Sequence, residues 1–154
     1  MLRMIWGCKC RAAGGKFWKA DVMKTRDIKQ RVTIHAAPMA VYEALMDQER
    51  HSHFTGEPAE ITAERGAAFT CYDRYIEGFN LDLEPGRLIV QAWRSENWPK
   101  GHWSIVTYQF AKAPGGKTRL SFTHAGVPAG DYTKKNKGWQ THYWQPLKRY
   151  LERR

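Results

Sequence analysis

Six histidines and three cysteines are the side chains of this 154-residue chain with the widest chemical repertoire. His51 and His53 lie two residues apart, whereas His102, His124 and His142 stand singly. No pair has the His-Glu-x-x-His spacing that sets two imidazoles on one helical face around a zinc ion. No metal is expected, and His51 and His53 read as exposed polar positions of a short helix. Cys8 and Cys10 are one residue apart and Cys71 is alone. An odd count at that spacing suits neither a disulfide framework nor a tetrahedral zinc site, and it reads as reduced thiols in a cytoplasmic protein. General acid or base work needs a polar group held in an apolar recess with a shifted pKa. His102, His124, Asp73 and Glu77 are the groups available for it. The chain carries no serine in a nucleophile elbow, no phosphate-cradling glycine loop and no carboxylate pair at a recognisable spacing. No catalytic residue is assigned and no cofactor is called for. Binding accounts for the chain better than turnover does.

The aromatic residues suggest what could be bound. Trp93, Trp98, Trp103, Trp139, Tyr143 and Trp144, with His102 and His124 among them, form a set able to line a pocket for a flat or lipidic molecule. Packing of a small sheet against a helix uses large aromatics in the same way, so each of them also has a purely architectural account.

These residues must be positioned by regular elements. One domain fits the length, and 42% hydrophobic residues supply enough apolar area to offset the entropy of ordering it. Residues 1–25 lack periodicity and carry Gly14, Gly15 and scattered basic residues, so they read as a flexible basic arm, with Met23 a second candidate for the translation start. A single domain is expected over 26–154. Ile28, Val32 and Ile34 mark a first strand, and Pro38 opens a short helix carrying Val41, Ala44 and Leu45. A second short helix spans 48–54. Strands are expected near 67–73, 75–84, 87–95, 102–112 and 117–125, separated by Pro85-Gly86, Pro99-Lys100-Gly101 and Pro114-Gly115-Gly116 turns. Trp139, Tyr143, Leu147, Tyr150 and Leu151 then recur at helical steps, with Pro146 expected to kink the helix or mark an irregularity. This order gives an α+β fold: a curved antiparallel sheet gripping a long C-terminal helix, two short helices after the first strand, and a cavity between sheet and helix.

Charge excludes some partners. No apolar run reaches the roughly 18 residues of a membrane span, and the basic N-terminus lacks the apolar stretch of a signal peptide. The formal charge is +10 with a pI near 9.7. Its excess is divided between both ends and Lys134, Lys135 and Lys137, a run that reads as a solvated loop or helix start, so nucleic acid is not the expected partner.

From Phe54 onward the chain resembles the C-terminal domain of Aha-type activators of the ninety-kilodalton heat-shock chaperone (Hsp) ATPase, within the SRPBCC/START-like helix-grip superfamily. HFTGEPAEITAERGAAFTCYDRYIEGFNLDLEPGRLIVQAWR, NWPKGHWSIVTYQF, TRLSFTHAGVPAGD and GWQTHYWQPLKRYLE carry the likeness, in the family's order and spacing. The resemblance implies a helix-grip domain without a catalytic role for the Trp98-Pro99-Lys100-Gly101-His102 loop. Three functions follow as expectations. The first is non-catalytic binding of an apolar small molecule or lipid between sheet and helix. The second is association with a heat-shock chaperone, with full ATPase stimulation not expected because nothing before Asp27 is long enough for the activators' separate N-terminal domain. The third is a cyclase-like enzyme, by analogy with superfamily relatives.

Overall fold

The computed structural model describes residues 23–153; Cys8, Cys10 and the arm up to residue 22 lie outside the described residues. Strand β1 (Thr25–Ile34) is followed by helices α1 (Pro38–Met46) and α2 (Gln48–Thr55). A meander then runs through β2 (Ala68–Cys71), β3 (Ile76–Glu84), β4 (Leu88–Ser95), β5 (Ser104–Ala113) and β6 (Lys117–Pro128). One six-stranded antiparallel sheet results, in the order β1-β6-β5-β4-β3-β2, with β1 crossing over to pair with β6. A 3₁₀ turn (Ala129–Asp131) leads into α3 (Tyr132–Gly138), a π-helical stretch (Trp139–Trp144) and α4 (Gln145–Glu152), which together form the long C-terminal helix. This is the α+β helix-grip arrangement expected from the element order.

Local chemistry accounts for the element ends. Pro38 occupies the first turn of α1, where its missing N–H is not needed. The Asp47 side chain caps α2 by accepting from the Arg50 N–H at 2.9 Å, and Gly56 closes it with a left-handed φ of 75°. In β4, Ile89, Gln91 and Trp93 turn inward by strict alternation. They meet Val106, Tyr108 and Phe110 of β5 and Leu120 and Phe122 of β6, and the helix lays Trp139, Tyr143, Trp144, Leu147 and Leu151 into the concavity.

The structure adjusts several sequence boundaries. Strand β6 runs on to Pro128, beyond the break expected at Gly126, because Thr25 and Arg26 of β1 pair with Pro128 and Val127. Strand β5 starts at Ser104, not 102, since the Trp98–Gly101 turn is closed by His102 N–H donating to the Pro99 carbonyl. His51, expected on an exposed position, is 3% exposed: α2 packs against the C-terminal helix and the imidazole lies against Phe54 and Tyr143. Pro146 does mark an irregularity. It lacks the N–H that would bond the His142 carbonyl and its ring crowds that carbonyl, so the turn before it widens into the π stretch. The Tyr72 hydroxyl donates to the carbonyl left over.

Gly78 is the glycine that the sheet cannot replace. It pairs with Phe69 across β2 and β3, the Phe69 ring covers its Cα, and a Cβ there would collide with that ring and with the Ala92 carbonyl. Replacing Gly78 with alanine should therefore destabilise the domain by about 2–3 kcal/mol. Urea unfolding checks this, and an unchanged midpoint would mean that β2 can lift away from β3 without cost.

Candidate functional site

Between the β2–β3 end of the sheet and the C-terminal helix lies an open cleft of about 560 Å³. Ile76 and Trp93 line it from the sheet, Trp139 and Tyr143 from the helix, and Tyr72 and Tyr75 from the β2–β3 turn. Thr55 and Glu57 border it at the end of α2, and Lys134, Lys135 and Lys137 border it on α3. The walls are apolar and aromatic apart from the buried Lys135, and the exposed charges of Glu57, Lys134 and Lys137 lie at the mouth.

The turn that supplies Tyr72 and Tyr75 is strained. Tyr72, Asp73 and Arg74 are consecutive non-glycine residues in the left-handed region, with φ of 52°, 51° and 66°. Each such residue costs about 1–2 kcal/mol, so the surroundings must hold the conformation in place. The Asp73 N–H donates to the Pro58 carbonyl at 3.0 Å, Tyr72 is tied to the helix through the His142 carbonyl, and the Tyr75 hydroxyl donates to Asn97 Oδ1 at 3.0 Å. Burial raises the Tyr72 pKa above its ordinary value, which keeps that hydroxyl a donor at neutral pH.

Lys135 closes one side of the cleft. Its Nζ donates to the Tyr75 hydroxyl at 3.2 Å and pairs with Asp131 Oδ2 at 3.2 Å, and the same carboxylate oxygen accepts from Trp98 Nε1 at 2.7 Å. The ammonium also lies 4.9 Å from the Tyr75 ring centroid and 5.9 Å from that of Trp93, within cation–π range. A run expected to be solvated thus contains a side chain only 8% exposed. Asp131, Lys135, Trp139 and Tyr143 recur every four residues, which places them along one helical face.

His124 sits behind the cleft in a fixed state. Its Nδ1 accepts from the Trp139 indole N–H at 3.0 Å, so its proton is on Nε2, which donates to Ser104 Oγ at 2.7 Å. The Ser104 hydroxyl in turn donates to the Trp93 carbonyl at 2.7 Å. Burial, with a smaller contribution from the Lys135 charge, pushes the His124 pKa down to about 3. An imidazole whose Nδ1 is occupied and whose Nε2 already carries a proton cannot take one from Ser104, so this pair is a structural clasp. Nearby, Leu45, Met46, His51, Cys71, Gln91 and Tyr143 surround a void of about 10 Å³. Burial lowers the His51 pKa to about 4 and raises that of Cys71 to about 12. The Cys71 thiol is therefore un-ionised at neutral pH.

Of the residues singled out in the sequence, Trp93, Trp139 and Tyr143 border the cleft. Trp98, His124 and Trp144 are packed in the core beside it, and Trp144 Nε1 donates to Gln30 Oε1 on β1. His102 stands in the β4–β5 turn with its Nε2 2.8 Å from the Gly126 carbonyl oxygen and its ring against Trp98. Trp103 departs from expectation: Ser104 turns inward, so Trp103 lies 40% exposed against Phe79, outside the cavity. Asp73 and Glu77 are solvent-exposed. Tyr72, Tyr75, Ile76 and Lys135 belong to the site but are not among the residues that the sequence reading chose. The signal for Lys135 was its four-residue step to Trp139, and for the tyrosines the tight Tyr-Asp-Arg-Tyr spacing between two strands.

Comparison with known proteins places this geometry among relatives. The family model described as Activator of Hsp90 ATPase homolog 1-like protein matches residues 35–152. Activator of 90 kDa heat shock protein ATPase homolog 1 of Mus musculus is 31% identical over 144 residues, 92% of this chain. Its Homo sapiens counterpart is 33% identical over 124 residues, 80% of this chain. The chain spans 42% and 36% of the lengths of these two relatives. An HSP90 activator from Plasmodium falciparum shares the fold with a TM-score of 0.78 at 21% identity, over 82% of this chain and 96% of that one. The Aha1 dimer from Colwellia psychrerythraea does so at 0.72 and 19% identity, over 83% and 97%. Among the described residues no helix is long and apolar enough to cross a membrane.

The two buried imidazoles predict a pH dependence. Both folded-state pKa values lie below the ordinary 6.5, so on acidification the unfolded chain takes up protons first. The stability linked to their neutral state is complete above about pH 6.5 and is lost as pH falls toward 4 for His51 and 3 for His124, by about 1.4 kcal/mol per pH unit for each. Urea unfolding should accordingly show constant stability from pH 7 to 8 and a decline below 6.5 that steepens toward about 2.7 kcal/mol per unit near pH 5. A flat profile to pH 5 would show that these imidazoles are hydrated in the native state.

Proposed function

Because this chain belongs to the family of Activator of Hsp90 ATPase homolog 1-like proteins, we propose that it is a chaperone-associated domain that binds a ninety-kilodalton heat-shock protein. The family match, which spans nearly all of the described fold, carries this reading. The formal charge of +10 supports it in kind, since a basic domain is steered toward an acidic protein surface and fixed in orientation there. Titrating the protein into a purified ninety-kilodalton chaperone by calorimetry should give saturable binding that weakens as salt rises from 0.05 to 0.5 M, and the chaperone's ATPase rate is measured in parallel. Binding no stronger than that of an unrelated basic protein of equal charge would sink this reading.

A second reading is favoured by one observation, the aromatic cleft behind a strained turn. We propose that the cleft holds an apolar small molecule or lipid without chemical change, its body against Trp93, Trp139, Tyr143 and Tyr72 and any acidic group toward Lys134 and Lys137 at the mouth. Its volume of about 560 Å³ suits a ligand of drug-like size. Native mass spectrometry of protein from its own host should reveal a retained molecule, and Thr141→Trp, which adds a large ring to the cleft lining, should abolish that retention. A chain that always emerges empty, and whose tryptophan fluorescence is unmoved by fatty acids or flat aromatic acids, would rule this reading out.

A further inference from the structure

Only the concave face of the sheet covers the helix. The alternation that buries Ile89, Gln91 and Trp93 sends Val90, Ala92 and Arg94 outward, and the same rule governs β3 and β5. Register then builds an apolar row across the outer face: Phe79 pairs with Ala92, Ala92 with Ile105, and Ile105 with Ala125. Phe79 is 43% exposed, Leu81 49%, Trp103 40% and Ile105 40%. The Phe79 and Trp103 ring centroids are 5.6 Å apart, so the exposed apolar side chains meet as a patch. Single exposed apolar residues need no explanation, but a contiguous patch marks an interaction site.

Among the described residues the charge on this face that makes no ion pair is mainly basic, the exception being Asp27, whose carboxylate accepts from the Gly126 N–H at 3.0 Å. Along β3 and β4 each carboxylate is matched: Glu77 with Arg94 at 2.8 Å, Asp82 with Arg65 at 2.8 Å, and Glu84 with Arg87 at 3.5 Å. Farther across the same face, Lys29 and Arg31 of β1 and Arg119 of β6 make no ion pair among the described residues. A second copy of the chain would bring the same basic band. The chain's own first residues carry Arg3, Lys9, Arg11, Lys16 and Lys19 against Asp21 alone, so they complement it no better.

We infer that this outer face of β3, β4 and β5 is a protein-docking surface whose occupant is an acidic surface bearing apolar side chains. The apolar groups pack on Phe79, Trp103 and Ile105, and the carboxylates meet Lys29, Arg31 and Arg119. The inference rests on the proposed chaperone association and assigns it a face of the molecule separate from the cleft.

The test uses the full chain, the purified ninety-kilodalton chaperone and two double variants. One carries Phe79→Ser with Ile105→Glu, and the other carries Lys29→Glu with Arg31→Glu. All four positions point to solvent, and circular dichroism with urea unfolding verifies that the variants fold. The first variant should bind at least tenfold more weakly at every salt concentration. The second should bind at least tenfold more weakly at 0.05 M salt and lose most of the salt dependence. Wild-type binding with both variants indistinguishable from it overturns the docking face and leaves the chaperone association standing. Absence of wild-type binding removes the association itself and the docking face with it. A wild-type dimer that the first variant splits without weakening chaperone binding reassigns the face to contact between copies.

Discussion

The hydrogen bond from the Trp139 indole to His124 Nδ1 is the contact on which the rest of the arrangement turns. It joins the helix to the middle of the sheet, and it settles which imidazole nitrogen carries the proton. That choice commits Nε2–H to Ser104 and the Ser104 hydroxyl to the Trp93 carbonyl, so a buried polar chain is satisfied from end to end. Around it the Trp139 ring lies 4.4 Å from the Phe122 centroid, 4.5 Å from that of Tyr143 and 5.9 Å from that of Trp93. Dispersion alone would let a helix slide along an apolar trough, whereas a directional bond at its centre permits one register. A second clasp, Trp144 to Gln30 with Gln30 donating to Asn136, ties the same face of the helix to β1.

The cleft follows from how that register is reached. In a regular helix Trp139 and Trp144 would stand about 140° apart, whereas the π turn, which takes more residues, draws Trp139, Tyr143 and Trp144 closer together on the inward face. Pro146 provides the cause by denying the His142 carbonyl its partner. The widened turn stands off from the edge of the sheet, and Tyr72 reaches across the gap to the spare carbonyl. The left-handed run at Tyr72–Arg74 is the conformation that permits this reach, so its strain is held by the bond it makes possible. Deleting either feature in thought removes the need for the other. The cleft is what remains open between the turn, the helix and Trp93.

The sequence displayed the architecture well because it is written in periodicities. Ile89, Gln91 and Trp93 alternate, Trp139, Tyr143, Leu147 and Leu151 step by four, and Pro85-Gly86 and Pro114-Gly115-Gly116 punctuate strands. Pro146 announced an irregularity, although not its kind. Burial of polar residues was much less legible. His51 and Lys135 look like surface residues in any local window, since what buries them is packing between elements far apart in sequence: His51 against Tyr143, Lys135 between Tyr75 and Asp131. Trp103 was misplaced for a related reason. Its neighbours on both sides are turn residues and strand residues, and only the true start of β5 decides which face it takes.

A domain of this kind separates its two surfaces by rule. Alternation delivers one set of side chains to each face of the sheet, so the residues that grip the helix place no constraint on those that face outward. The inward set must satisfy packing, buried hydrogen bonds and the shape of the cleft together, which leaves it little freedom. The outward set has to satisfy only solubility. Phe79, Leu81, Trp103 and Ile105 are poor choices for solubility alone. Their presence beside unpaired basic residues asks for a reason outside the folded chain. An apolar patch whose unpaired border charge is mainly basic gains most from a partner that supplies the opposite charge at the border, because the charges then orient the encounter while the patch supplies the adhesion. Contact on the outer sheet leaves Trp93, Tyr143 and Lys135 on the opposite side free. Occupancy of the cleft and occupancy of the outer face are therefore coupled only through the sheet itself, with Ala92 on one side of β4 and Trp93, its chain neighbour, on the other.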